Sequence, residues 1–186
     1  KVIYNGVNVD RYCANIGKNS SSIYNEFNIS NHSKVVVSIA QLIPEKGIKY
    51  LVNAAHMILS ENPDVYFMII GDGWQKYELE KNVAKLGLQR KIFFTGTRID
   101  TEAFLAIADI FVLLSVWEEA FAFSLLEAMA ASCPVVATRI GAIPESVIHK
   151  KTGLLIPPRN PEAAARAIQY LLVHDEERMR MGKAAR

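Results

Sequence analysis

Cysteine is nearly absent: the 186 residues hold two, Cys13 and Cys133, too few for a disulfide framework. That usage suits a reducing compartment. An excess of either charge is also missing, because 21 Lys and Arg face 19 Asp and Glu for a formal net charge of +2. A protein that lives on nucleic-acid phosphates needs more, so no nucleic-acid partner is expected. No run reaches the roughly 18 consecutive apolar residues of a membrane span. The longest, near Val65–Ile70 and Ile110–Leu114, have the length of buried strands. No signal peptide opens the chain, which favours the cytoplasm. His32, His56, His149 and His174 show no metal-ligand spacing with each other or with the cysteines, so no metal is expected. The chain starts at Lys1 without a Met, already strand-like to Tyr4, and stops at Ala184-Ala185-Arg186. Both ends read as cuts, the expectation being one piece of a longer protein.

What is present is an ordinary soluble globule. Apolar residues make up 51% and charged ones 22%, which excludes disorder. At about 150 residues per domain the length points to one domain, large enough to bury roughly 70% of its unfolded surface.

From residue 34 the pattern alternates. Strands are predicted over Lys34–Ala40, Val65–Ile70, Lys91–Phe94, Asp109–Leu114, Pro134–Thr138 and Gly153–Ile156. Between them, helices are predicted from Ile48 to the Asn62-Pro63 stop, over Tyr77–Leu86 with Gly87 as cap, and over Thr101–Ala108, Phe123–Ala131 and Pro161–Val173. Residues 13–33, rich in Ser and Asn, read as a surface loop, and Asp175-Glu176-Glu177-Arg178 as a charged solvent end. Strands apolar along their whole length, with helices between, imply a doubly wound, Rossmann-like parallel sheet covered on both faces. Such sheets bind ligands at the edge where the strands end.

The stretch Trp117–Ala131 (WEEAFAFSLLEAMAA) follows a predicted strand and so occupies that edge. Glu119 falls in the loop and Glu127 one turn into the helix. Helical side chains lean toward the N-terminus, which aims Glu127 at the mouth of the site. The main-chain N–H groups of Phe121, Ala122 and Phe123 stand at the helix start, an anion site reinforced by the dipole. Amides for a phosphate, with a carboxylate beside them to accept two hydroxyls, suit a sugar nucleotide. The same spacing fits a plainer arrangement, in which Glu118 and Glu119 complement the dipole and Glu127 lies on a solvated face. Lys46, in Ala40–Gly47 (AQLIPEKG), brings an ammonium to the same edge, free either to reach a diphosphate or to face solvent. Gly71-Asp72-Gly73 lacks the third glycine of a dinucleotide fingerprint and reads as a tight strand-to-helix turn. Ser115 and Ser124 have no nucleophile-elbow context.

These residues resemble a known family. The Glu119 and Glu127 pair within EEAFAFSLLEAMAASCPVVAT looks like the signature of the retaining, GT-B-fold glycosyltransferases of family 4, the glycosyl transferases group 1. NGVNVDRY, QLIPEKGIKYL, FMIIGDGWQKYELE, IFFTGT, GAIPESV and TGLLIPPRNPEAAARAI fall in the family's order and cover nearly the whole chain. The resemblance implies the C-terminal, donor-binding half of a two-domain enzyme, whose partner would be its own N-terminal acceptor domain. It implies a nucleotide-diphospho-sugar donor, UDP ahead of GDP or ADP, with no metal or other cofactor. Lys46 and Glu119 would be catalytic, Lys46 neutralising the departing diphosphate and Glu119 facing the donor hexose. Glu127 would take the ribose hydroxyls, the amides around Phe121, Ala122 and Phe123 the sugar and diphosphate, and the peptide groups of Thr97 and Arg98 the base edge. Membrane contact, at the inner face, would come only through the other half.

The sequence departs from the family at several positions. Gln41 stands where arginine is usual, losing a charge-assisted contact worth roughly 1.5–3 kcal/mol. Ala122 and Ser132 replace glycines, and Gly141-Ala142 replaces a glycine pair. Those departures keep a second reading open, a decayed nucleotide-sugar-binding or structural module of the same fold. A sugar-nucleotide epimerase, which shares the two-domain architecture but not the glutamate spacing, is a third.

Overall fold

The computed structural model describes residues 6–13, 20–120 and 122–186. The strand expected at Lys1–Tyr4 lies outside them. In chain order the elements are α1 (Val9–Cys13), α2 (Ser20–Glu26), β1 (Lys34–Ile39), α3 (Ile48–Glu61), β2 (Val65–Ile70), α4 (Lys76–Lys85), β3 (Ile92–Gly96) and α5 (Thr101–Ile107). There follow β4 (Ile110–Leu113), α6 (Phe123–Ala130), β5 (Val135–Thr138), α7 (Ile143–Ser146), β6 (Gly153–Ile156), α8 (Pro161–Val173) and α9 (Asp175–Ala185).

The six strands form one sheet in the order β3-β2-β1-β4-β5-β6, every pair parallel. The doubly wound expectation is met. The chain builds outward from β1 to β3, then returns to lay β4 on the other side of β1. That reversal opens a crevice at the C-terminal ends of β1 and β4, the place where such sheets take ligands. Because strand side chains alternate, Val36, Phe67, Ile69 and Val112 pack against α3, α4 and α8, while Val35, Val37, Met68 and Phe111 face α5 and α6. Both faces are dry, which is why the strands read as unbroken apolar runs.

Two expectations need correction. Residues 13–33 are not all loop, since Ser20–Glu26 is helical; residues 14–19 lie outside the described set. The Ser-rich composition hides an apolar stripe, in which Ile23 is 1% exposed and the Phe27 ring packs 5.2 Å from Phe93. The charged end at 175–178 is not wholly solvated either. Arg178 is buried, within 3.3 Å of Asp109 and bonded to Asp175 and to Leu171 O, and so ties α9 to the foot of β4. Other boundaries move by one or two residues, chiefly at β3, where a register shift between Ile69 and Ile70 carries the pairing on to Gly96. Cys133 is buried and its thiol is pushed up by burial. No described helix is long and apolar enough to cross a membrane.

Candidate functional site

The chain leaves β1 through Ala40, Gln41 and Leu42 into a single 3-10 turn, Pro44–Lys46. Gly47 closes that turn at φ 66°, its amide donating to Pro44 O at 3.1 Å. A Cβ at Gly47 would lie 2.0 Å from Leu114 O, so only glycine lets the turn press onto the end of β4. Val116 N also donates to Glu45 O at 2.8 Å, joining the β1 and β4 loops across the crevice.

This junction brings Lys46 and Glu119 together. Lys46 Nζ lies 2.7 Å from Glu119 Oε1 and 2.8 Å from Oε2. The side chains are only 24% and 12% exposed. The Ser115 hydroxyl, wholly buried, donates to Glu119 Oε2 at 2.6 Å, and Thr138 Oγ1 donates to Ser115 O at 2.7 Å. The main chain of Glu119 is held as well, since Ala142 N donates to its carbonyl at 2.8 Å. A Cβ on Gly141, at φ 52°, would sit 2.4 Å from that same oxygen. Glu119 is thus fixed from the ends of β1, β4 and β5 at once. Its carboxylate is a preorganised acceptor, and Lys46 is the cation it holds.

A cavity of about 370 Å³ lies at the C-terminal ends of β1, β2 and β3, walled by Ala40, Gln41, Gly71, Asp72, Thr97 and Arg98. The Gly71-Asp72-Gly73 turn is tight as expected, with a structural reason. Leu42 N donates to Asp72 O at 2.9 Å, and a Cβ on Gly71 (φ 134°) would meet Ala40 O at 2.0 Å. Gln41 is exposed on this wall. The Arg98 guanidinium points its bonds elsewhere, to Asp100 at 2.8 Å and to Glu26 at 2.8 and 3.1 Å, over the Phe104 ring. Asp100, then Glu26, hold it above the usual arginine range, and Arg98 in turn holds Asp100 below the usual carboxylate range. The arginine side chain is therefore committed to structure.

Helix α6 begins on the other side of the crevice with Ala122 as its N-cap, and no side chain caps it. Ala122 has φ −77° and ψ 110°, ordinary extended backbone, so a methyl group costs no strain there. Ser132, where the resemblance leads to glycine, does occupy the left-handed region, at φ 58°. Phe123 is exposed at the first turn; Phe121 lies outside the described residues. Glu127, half-buried on the second turn, lies near enough to the Tyr12 hydroxyl of α1 to act on it electrostatically. Burial and then this carboxylate push the Tyr12 hydroxyl up to about 12, so it remains a donor throughout the physiological range.

The structure therefore joins Lys46 to Glu119, gathers Gln41, Thr97 and Arg98 around one cavity, and sets Glu127 near Tyr12. Sequence reasoning passed over Ser115, Thr138 and Tyr12. Ser115 and Thr138 carry a usable signal, a lone hydroxyl at the C-terminal end of an apolar strand. Tyr12 carries none, because nothing local says which helix α1 will meet. Among the described residues no group of three or more His, Cys, Asp or Glu is placed to hold a metal ion.

A model of the family Glycosyl transferases group 1 matches residues 20–186. The D-inositol 3-phosphate glycosyltransferase of Corynebacterium glutamicum is 31% identical over 192 residues, covering 99% of this chain and 46% of that protein. Anabaena HepE, solved with UDP and glucose, matches with a TM-score of 0.90 at 27% identity, over 100% of this chain and 50% of that one. The C-terminal domain of a glycosyl transferase group 1 family protein, LpcC of Francisella tularensis, matches at a TM-score of 0.84 and 26% identity, over 97% of this chain and 94% of that one. The chain spans about half the length of the curated relatives it matches.

Proposed function

The chain belongs to the glycosyl transferases group 1 family, and we propose that it is the donor-binding half of a retaining enzyme moving a hexosyl group from a nucleotide-diphospho-sugar to an acceptor. The observation that carries this reading is the Lys46–Glu119 pair at the crevice between β1 and β4. An ammonium there can leave the carboxylate for a diphosphate and offset the charge that grows as the sugar–phosphate bond breaks. The freed Glu119, still held by Ser115, then faces the hexose and accepts its hydroxyls. Glu127 takes the ribose, the first turn of α6 supplies amides to the phosphates, and the Thr97-Arg98 main chain lines the cavity for the base. UDP is the proposed nucleotide, since HepE was solved with it. The positive charge assigned to this step comes from Lys46 and the helix amides, with no metal in the scheme. Attack on the same face, through an oxocarbenium-like state, retains the anomeric configuration.

The acceptor half would cover the edge that carries Trp74, Tyr77, Trp117 and Phe123. These include the chain's only two tryptophans, left 73% and 65% exposed. A cytoplasmic site of action, with membrane contact confined to the other half, completes the reading.

Calorimetric titration with UDP, GDP and ADP tests it. Saturable binding that Lys46→Ala weakens is expected, and none at high millimolar nucleotide overturns it. Gln41, where the family has arginine, favours a second reading, a nucleotide-sugar-binding module without turnover. Donor hydrolysis or transfer by the full-length protein decides between them.

A further inference from the structure

A cavity of about 580 Å³, larger than the one beside Gln41 and sharing no lining residue with it, lies against the edge strand β6, two strands out from β4. It is the cleft between α8 and α9. One wall is a single stripe of α8, with Arg166 and Tyr170 a helical turn apart above the small Ala163 and Ala167. Leu154 of β6 and Met181 of α9, both buried, make an apolar floor. The rim is cationic: Lys150, Arg166 and Arg180 face one carboxylate, Glu177. Arg180 is set in place by Glu177, at 2.7 and 3.2 Å, and by Lys150 O at 3.0 Å. Among the described residues, one of its two terminal amino groups is left over, and Lys150 and Arg166 hold no carboxylate, so the rim carries an uncompensated charge of about +2. The Tyr170 ring is itself fixed, stacked 4.3 Å from His174, whose Nδ1 lies 2.7 Å from Tyr170 O.

We infer that this cleft is a second binding site, for a small phosphomonoester with an apolar or aromatic body. Charge selects the class. A phosphomonoester carries about −1.5 to −2 near neutral pH and matches the rim, whereas the diester of a phospholipid headgroup brings only one charge. Shape agrees: a half-open cleft of this size, apolar below with convergent cations above, is a usual form of a small-molecule site. The phosphate would take Lys150, Arg166 and the spare amino group of Arg180, and the body would lie on Leu154 and Met181 against Tyr170. This site is independent of the transfer reaction proposed for the other edge.

Phenyl phosphate is the probe, titrated into the protein while the arginine side-chain signals are followed by NMR. Saturable shifts at Arg166 and Arg180 are expected, with weaker effects from inorganic phosphate and from benzyl alcohol. Arg166→Ala should weaken binding about tenfold or more, the low end for a charge-assisted contact. Lys150→Asn should do the same, asparagine being tolerated at the φ of 64° found there. The two positions lie on different elements, so one variant serves if the other fails to fold. Lys46→Ala should leave the Arg166 and Arg180 shifts intact. Absence of saturation, or shifts that vanish in Lys46→Ala, would overturn the inference. So would binding to phosphatidylglycerol vesicles, lost in Arg166→Ala, without any response to phenyl phosphate.

Discussion

Lys46 and Glu119 invite a double-mutant cycle in which the two single changes are unequal. Lys46→Met leaves the Glu119 carboxylate only 12% exposed, with Ser115 as its remaining side-chain donor. Stranding one partner of a fully buried pair costs roughly 3–5 kcal/mol, and an exposed pair contributes about 0–1. Partial solvent access and the serine bond place this loss near 2 kcal/mol. Glu119→Gln is gentler. Its amide oxygen can keep the Ser115 bond, and the ammonium, on a flexible stem 24% exposed, can turn to water, for a loss near 1 kcal/mol. The double variant should cost about 2 kcal/mol rather than the sum of about 3, a coupling near 1. For a domain of this length each kcal/mol moves Tm by about 2–4 °C, so melts of the four proteins resolve the order.

The same cycle has a second readout. In Glu119→Gln the ammonium no longer has a carboxylate to leave, so UDP should bind more tightly while transfer falls. Releasing a whole charge-assisted bond would bring about 10- to 150-fold, and the partial exposure of the pair reduces that to about 3- to 10-fold. Calorimetry with UDP measures it. Weaker UDP binding in Glu119→Gln, or a smaller stability loss in Lys46→Met than in Glu119→Gln, would refute the reasoning.

Other outcomes follow from single contacts. Gly47→Ala should cost about 3 kcal/mol, from a left-handed backbone and a methyl group 2.0 Å from Leu114 O, and an unchanged urea midpoint would contradict the geometry. Glu127→Ala should weaken UDP binding by about 1–3 kcal/mol, with Tyr12→Phe producing a smaller loss because it only removes the hydroxyl near the carboxylate; equal affinities by calorimetry would remove Glu127 from the site. Gln41→Arg adds a cation to the cavity wall and should tighten UDP by up to about 10- to 150-fold, whereas no gain means the phosphates lie elsewhere. His149 accepts the Leu155 N–H at Nδ1, 3.0 Å away, and burial, then Arg139 and Lys150, hold its pKa below the ordinary 6.5. The unfolded chain therefore takes up a proton below 6.5 that the folded chain refuses, so stability falls as pH drops from 7 toward the folded pKa. His149→Gln should flatten that slope in melts between pH 5 and 7, and parallel profiles would exclude the effect.

The sheet was legible because its strands are buried on both faces. Val65–Ile70 and Gly153–Ile156 are legible to the residue, the first run lying between Asp64 and Gly71 and the second running from Gly153 to Pro157. Helix α2 was not legible, because its serines dominate the composition while Ile23 and Phe27 need distant partners, Phe93 and Phe104, to show which face is buried. At the site, Lys46 and Glu119 were visible as edge residues, but their pairing depends on how close the β1 and β4 loops come. That distance is set by a glycine with no side chain and by main-chain bonds that any residue could make. Ser115 has no nucleophile-elbow context, and a nucleophile pattern is the wrong test for it. Its bond to Glu119 is a positioning contact, which no nucleophile pattern describes.

The departures from the family pattern become interpretable once backbone angles are separated from charge. Ala122 sits at angles any residue adopts, so its methyl group does not disturb the entry to α6. Ser132 stores left-handed strain at the far end of that helix, away from Lys46. Gln41 is different, because what it changes is the count of free cations. Around the crevice and its cavity, Lys46 already holds Glu119, and Arg98 already holds Glu26 and Asp100. On the proposed reading, an arriving diphosphate would meet main-chain amides and a lysine that must first give up its carboxylate. Affinity at such a site rises only when the ligand replaces what Lys46 loses, which a sugar diphosphate can do by offering hydroxyls to Glu119 as its phosphates take the ammonium. Selectivity for the whole donor over its nucleoside fragment would then come from the pair itself.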